Sequence, residues 1–266
     1  MHLLIINLNP TAPNDHIITL FHQNYKNMKK YVLSTALFLF SLSQLSAQNS
    51  SIPRLGADAP SFTAMSTNGV IEFPADYGDS WKIIFSHPKD FTPVCSSEMI
   101  ELAYSQESFD ALGVKLLVLS TDLLEQHNSW KAALEEVHYK DRDPVKIDFP
   151  LIADSDLRVS HQYGMIHSAE SISQNIRGIY IIDPDNKIKS IFFYPNEVGR
   201  NVEELKRTVI ALQTTYNNDN VVTPANWQLG DDMIVPALSK LDKENLGNPD
   251  SDYYQYSWFM TFKKLN

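Results

Sequence analysis

Beyond residue 80 the chain alternates between short apolar runs and longer segments with helical periodicity. Trp81-Lys-Ile-Ile-Phe-Ser86 and Val114-Lys-Leu-Leu-Val-Leu-Ser120 are nearly continuous apolar runs, the pattern of strands buried on both faces. Between them Met99, Ile100, Ala103 and Phe109 recur at roughly helical spacing. Thr92 then offers an N-cap and Pro93 suits the first helical position, which predicts a helix over 93–109. Asp122 is placed to cap a helix running to about Val137, with Trp130 and Leu134 on one face and Glu135 and Glu136 on a solvated one. Residues 140–144 read as a charged loop. Leu157–Tyr163 reads as a short helix stopped by Gly164, followed by a polar loop over 166–176. Arg177–Asp183 and Lys187–Tyr194 flank Pro184-Asp-Asn186, a hairpin signal. Asn201 caps a final helix, Val202–Tyr216, whose Val202, Leu205, Val209 and Leu212 share a face. This order predicts an α/β domain with a central sheet of mixed strand direction, flanked by helices. Residues 48–60 read as a flexible lead-in. Residues 221–266 read as a less regular extension, with Tyr253, Tyr254, Tyr256, Trp258 and Phe259 crowded near its end.

The N-terminal segment does not fit that domain. Met28-Lys-Lys30 followed by Tyr31–Phe40 has the charged and apolar regions of a secretory signal, and Ser46-Ala47-Gln48 offers small residues for cleavage. We therefore expect residues 28–47 to be a signal peptide and residues 1–27 an upstream extension. The apolar core is too short for a comfortable transmembrane span, so stable membrane insertion is not expected. Export, to a bacterial periplasm, is the expected destination; an unused signal would leave the protein in the cytoplasm. The formal net charge of the chain is −10. Losing residues 1–47, with their three lysines and one aspartate, makes it more acidic still. An acidic surface argues against a nucleic-acid or anionic-membrane partner.

Against this background one residue stands out. Cys95 is the only cysteine of 266 residues. It excludes an intrachain disulfide and a multi-cysteine zinc site. His138, His161 and His167 show no metal-ligand spacing, and no cofactor or metal is called for. A lone thiol is either a small buried hydrophobe or a reactive group. Cys95 falls in the first turn of the predicted helix, where free backbone N–H groups and the positive end of the helix dipole favour a thiolate, the nucleophilic form.

Pro88, Thr92 and Cys95 match the Pro-x-x-x-Thr-x-x-Cys signature of peroxiredoxins. The string Phe85-Ser-His-Pro-Lys-Asp-Phe-Thr-Pro-Val-Cys95 resembles the one-cysteine subfamily, of the peroxiredoxin 6 type, with His87 before the motif proline. Arg177 matches the family's distal active-site arginine, and Gly199-Arg200-Asn201 a second arginine motif. Thr223-Pro-Ala-Asn-Trp227 with Gly230-Asp231 is similar to the subfamily's C-terminal region. The resemblance covers about residues 51–262. It implies a thioredoxin-like peroxidase domain over 51–217, a C-terminal extension over 218–266 associated with dimer formation, and a homodimer. It also implies reduction of hydrogen peroxide and organic hydroperoxides through a cysteine sulfenic acid. With no second cysteine, an external thiol or thioredoxin-like reductant must resolve that acid. The implied catalytic set is Cys95, Thr92, Pro88 and Arg177, supported by His87, Glu98 and Arg200. Arg177 favours the thiolate and hydrogen-bonds the peroxide, Thr92 donates and accepts, Pro88 shields the sulfur, and Glu98 with Arg200 orients Arg177 or the helix.

Two other readings compete. A thioredoxin-fold binding or holdase protein would use the scaffold without turnover, but then has no reason to keep this residue set. Gly78-Asp79-Ser80-Trp81 resembles the lipase-like Gly-x-Ser-x-Gly motif of some one-cysteine peroxiredoxins. Here the final glycine is Lys82, and Pro74 stands where the family's histidine falls. Asp185 matches the acidic partner, but no base remains to activate Ser80.

Overall fold

The computed structural model describes residues 52–248 and 250–264. The expected upstream extension and signal peptide, residues 1–47, lie outside the described residues. The strands are β1 (Phe62–Ser66), β2 (Gly69–Phe73), β3 (Trp81–Ser86), β4 (Val114–Ser120), β5 (Leu151–Ala153), β6 (Arg177–Ile182) and β7 (Ile188–Tyr194). They form one sheet in the order β2-β1-β5-β4-β3-β6-β7. β3, β4 and β5 are parallel neighbours, and every other pairing is antiparallel. Helices α1 (Pro93–Ala111), α2 (Leu124–Leu134), α3 (Arg158–Gln162) and α4 (Val202–Tyr216) complete the thioredoxin-like domain.

The apolar runs occupy the centre of the sheet, where both faces are covered. One face of β3, through Ile83 and Phe85, packs against α1, α2 and α4 by way of Met99, Trp130, Leu205 and Val209. The other face, through Ile84, packs under the β1–β2 hairpin and α3, against Phe62, Phe73, Val159 and Tyr163. β6 runs antiparallel beside β3 with Phe85 opposite Ile179. That register carries the first residue of β6, Arg177, to the end of β3 from which the chain leaves for α1. Topology alone therefore brings residues some 80 positions apart to one end of the sheet.

Several local expectations change. The β1–β2 hairpin was not predicted, although Asn68-Gly69 is a turn signal; Ser66 pairs with Gly69, which takes a φ of 102°. β5 is only three residues long, too short for a periodicity to declare it. The lead-in is pinned rather than loose: Asp58 bridges Lys187, and Tyr163 donates its hydroxyl to the Pro60 carbonyl at 2.7 Å. Asp122 does not cap α2. Leu123 holds the N-cap position, and the Asp122 carboxylate instead accepts the Asp90 N–H at 2.8 Å. α2 stops at Leu134, short of Val137, and the carboxylate of the next residue, Glu135, accepts the Ile147 N–H at 2.9 Å. Asn201 does cap α4, accepting the Glu204 N–H at 3.1 Å. The extension is more regular than its sequence suggests. β8 (Met233–Ile234), β9 (Tyr253–Ser257) and β10 (Met260–Lys263) form an antiparallel sheet in the order β8-β10-β9, with a short helix α5 (Lys240–Glu244). Trp227 is buried and ties the extension to α4, its carbonyl accepting from Arg207 at 3.0 Å.

Candidate active site

The loop over residues 87–92 joins β3 to α1. Phe91 bends it with a φ of 58°, unusual for a residue with a bulky side chain. Thr92 then extends the backbone, and Pro93 opens the helix. The first N–H to bond back into the helix is that of Ser96, to the Thr92 carbonyl at 2.9 Å. Cys95 lies one residue earlier, so its own N–H is outside the helical ladder. Its side chain is fully buried.

Arg177 reaches this thiol from β6. Its Nη1 donates to the Cys95 Sγ at 3.3 Å and to the Glu98 Oε2 at 2.7 Å. Its Nε and Nη2 donate to the Asn196 carbonyl at 2.9 and 2.8 Å, so the guanidinium has little freedom to turn. Glu98, one helical turn after Cys95, holds both arginines. Its Oε1 accepts the Arg200 N–H and Nε–H, each at 2.8 Å, and its Oε2 accepts the Arg200 Nη2–H at 2.8 Å. Arg200 Nη1 donates onward to the carbonyls of Ser86 and Gly178, and its guanidinium lies over the Phe85 ring, 3.2 Å from the centroid. Burial pushes the Glu98 carboxyl up, but the Arg200 hydrogen bonds and the two guanidinium charges outweigh it and hold the group below the usual carboxylate range.

The structure thus brings Cys95, Glu98, Arg177 and Arg200 together. Pro88 is buried in the adjoining loop. Thr92 sits at the N-cap in backbone terms, yet its side chain makes no cap. Its hydroxyl donates to the Lys89 carbonyl at 2.9 Å. His87 is fully buried, with Nε2 2.8 Å from Asp90 Oδ1. Burial pushes its imidazole down from the ordinary value, more than the Asp90 carboxylate pulls it up.

Sequence reasoning missed Asp90 and His127. The second carboxylate oxygen of Asp90 lies 2.8 Å from His127 Nδ1 on α2. A signal existed, since His127, Trp130 and Leu134 repeat at helical spacing and all three are buried. His87, Asp90 and Asp122 form the one group of metal-ligating side chains among the described residues; their ligand atoms lie within 4.8 Å of one another and are engaged in the hydrogen bonds just given. Ser80 belongs to the turn before β3, its N–H bonded to the Tyr77 carbonyl, and Asp185 accepts the Tyr216 hydroxyl at 2.9 Å. No hydrogen bond joins Ser80 to a histidine among the described residues, so the lipase-like stretch is not assembled as a triad.

A single buried thiol at a helix start, faced by a fixed arginine on a thioredoxin-like sheet, defines a thiol-dependent peroxidase. Residues 55–191 match the AhpC/TSA family, and residues 211–244 match the C-terminal domain of 1-Cys peroxiredoxin. The chain belongs to the peroxiredoxins of this family. A peroxiredoxin of Methanosarcina mazei is 44% identical over 216 residues, covering 80% of this chain and 98% of its own. Among solved structures, a yeast mitochondrial 1-Cys peroxiredoxin is 36% identical with a TM-score of 0.71, covering 80% of this chain and all of its own. Peroxiredoxin 6 of Arenicola marina is 31% identical with a TM-score of 0.68, covering 80% of this chain and 99% of its own. The protein reduces peroxides at the expense of a thiol.

Proposed function

We propose that Cys95 is the peroxidatic nucleophile and that Arg177 is its principal electrostatic partner; the 3.3 Å contact between Arg177 Nη1 and Cys95 Sγ carries this reading. The thiolate attacks the terminal peroxide oxygen, an S–O bond forms, and the O–O bond breaks. Sulfur gives up two electrons and becomes a sulfenic acid, while the departing oxygen takes a proton and leaves as water or an alcohol. Negative charge moves from sulfur to that leaving oxygen. A donor already locked beside the sulfur serves both ends of the transfer without reorganising. Thr92 spends its hydroxyl hydrogen on Lys89, so its role is to accept a hydrogen bond from the peroxide O–H. Pro88, buried in the loop between β3 and α1, has the role of shielding the sulfur with a group that offers no N–H. Glu98 and Arg200 hold Arg177 in place.

With one cysteine, the sulfenic acid waits for a thiol from outside. The similarity to the yeast mitochondrial 1-Cys peroxiredoxin, whose thiol resolution runs through glutathione and thioredoxin systems, supports glutathione or a thioredoxin-like protein as the reductant. Export through the segment over 28–47 is supported by its charged and apolar regions. A homodimer is supported by the C-terminal hairpin, where Trp258 and Phe259 stand 87% and 68% exposed, too apolar to be left in water. The test of the resolving step is stoichiometry. Without added thiol, each chain is expected to consume one peroxide and stop; with glutathione or a thioredoxin system, consumption continues. Continued turnover with no added thiol overturns this reading.

A further inference from the structure

The β3–β6 register stops just short of the active site. It runs from Lys82 opposite Ile182 to Phe85 opposite Ile179, while β6 goes on pairing with β7 through Gly178 and Arg177. Beyond Phe85, side chains span the two strands. Ser86 Oγ donates to the Ile176 carbonyl at 2.7 Å. A hydroxyl has one hydrogen, and Met165 Sδ at 3.2 Å and the Gly178 carbonyl at 3.5 Å lie farther off. The same oxygen accepts the Gly178 N–H at 2.9 Å. One hydroxyl is thus bonded to the residue before Arg177 and to the residue after it. Arg200 Nη1 adds a second tie, donating to the carbonyls of Ser86 and Gly178. Ser86 and Arg177 are both buried, so solvent offers no replacement for these bonds.

We propose that Ser86 is a positioning residue for the peroxide reaction: its hydroxyl fixes the backbone of residue 177, and with it the point from which the guanidinium reaches the Cys95 sulfur. The inference rests on the reading of Arg177 as the electrostatic partner of Cys95. No hydrogen bond joins Ser86 to Cys95 among the described residues, so the hydroxyl acts through the arginine. Asn196 and Glu98 hold the guanidinium head, and Ser86 sets the root of the side chain. Without the hydroxyl, the Ile176 carbonyl loses its 2.7 Å donor, and the Gly178 N–H keeps only that carbonyl, two residues back, at 3.1 Å. A buried deficit of this kind favours rearrangement at the start of β6, and the 3.3 Å contact between Arg177 Nη1 and Cys95 Sγ is what such a shift disturbs.

The test is a double-mutant cycle in the full-length protein, read as the second-order rate of the single turnover with hydrogen peroxide. It compares wild type, Ser86→Ala, Arg177→Met and the two combined. Ser86→Ala is expected to lower the rate by about 10–100-fold, the scale for displacing a catalytic group by up to about 1 Å, and to lower it no further once Arg177 is replaced. An equal loss in both backgrounds overturns the inference, because Ser86 then acts by another route. A wild-type rate in Ser86→Ala beside a slowed Arg177→Met overturns it as well, and leaves the reading of Arg177 intact. A wild-type rate in Arg177→Met contradicts that reading, and the inference falls with it. NMR gives a readout that a merely structural role would not move. The Arg177 Nε–H resonance is expected to shift in Ser86→Ala, and an unmoved resonance overturns the inference. Should the variant fold poorly, wild type alone still decides: its Gly178 amide is expected to be protected from hydrogen exchange, and exchange at the rate of an unbonded amide overturns the inference.

Discussion

Replacing Glu98 by Gln keeps the shape of the side chain and removes its charge. In the native protein its two oxygens accept three hydrogen bonds from the side chains of Arg177 and Arg200, and one from the Arg200 backbone. The side chains of Glu98, Arg177 and Arg200 are 2%, 3% and 1% exposed, so water cannot replace what is lost. A glutamine offers one acceptor oxygen, and turns an NH₂ toward guanidinium donors on the other side. Removing one partner of a buried ion pair costs about 3–5 kcal/mol, mostly from the charge left uncompensated. At about 2–4 °C per kcal/mol for a domain of this size, the melting temperature is expected to fall by roughly 6–20 °C. Because Glu98 also anchors the guanidinium that touches Cys95, the second-order rate with peroxide is expected to fall in the protein that remains folded. Thermal unfolding and single-turnover kinetics read the two effects. A melting temperature within about 2 °C of wild type would refute the reasoning, since it would mean the two arginines are solvated after all. The same group sets an acid limit. Its carboxyl lies lower in the folded protein than its ordinary value of 4.5, so its stabilisation is complete above that value and is lost as the pH falls through the lower folded one.

Four further outcomes follow from the geometry. Arg177→Met is expected to lower the single-turnover rate by about 10²–10³-fold, the range for loss of a preorganised donor, with Arg177→Lys intermediate because one ammonium cannot hold both Cys95 and Asn196. Gly178→Ala places a methyl against the Met165 sulfur and 3.1 Å from Ser86 Oγ, and is expected to cost about 1–3 kcal/mol in denaturant unfolding; an unchanged midpoint contradicts the packing described. His87, held neutral by burial, takes up protons more readily when unfolded, so its contribution to stability is expected to decline as the pH falls below 6.5, and His87→Gln is expected to flatten that part of the curve. Trp258→Ser with Phe259→Ser is expected to shift sedimentation from dimer to monomer, and an unchanged dimer places the interface elsewhere.

The sequence was most informative where one residue type had a single physical use. Apolar runs on β3 and β4, the proline at the start of α1 and the asparagine cap of α4 all form as their patterns require. The elements that escaped were short or depended on tertiary contacts. β5, at three residues, has no period to detect, and the β1–β2 hairpin is legible only through its Asn68-Gly69 turn. Asp122 shows the limit of local reasoning. It has the chemistry of a helix cap, but the Asp90 N–H, 32 residues away, takes its carboxylate. At the site, motif matching placed Cys95, Glu98, Arg177 and Arg200 on one list, and the antiparallel register of β3 and β6 explains how they meet. It could not foresee that Thr92 would turn its hydroxyl to Lys89. The Asp90–His127 pair was hidden because neither residue is near the other in sequence and each alone has an ordinary surface explanation.

The central claim is that peroxide oxygen is transferred to Cys95. The direct measurement treats the full chain with one equivalent of hydrogen peroxide in the presence of a sulfenic-acid trap, then maps the adduct by mass spectrometry alongside Cys95→Ser. The account predicts one adduct per chain, on Cys95, and no rapid peroxide loss in the serine variant. Peroxide consumed equally by Cys95→Ser, or an adduct-free Cys95 after consumption by wild type, would contradict it.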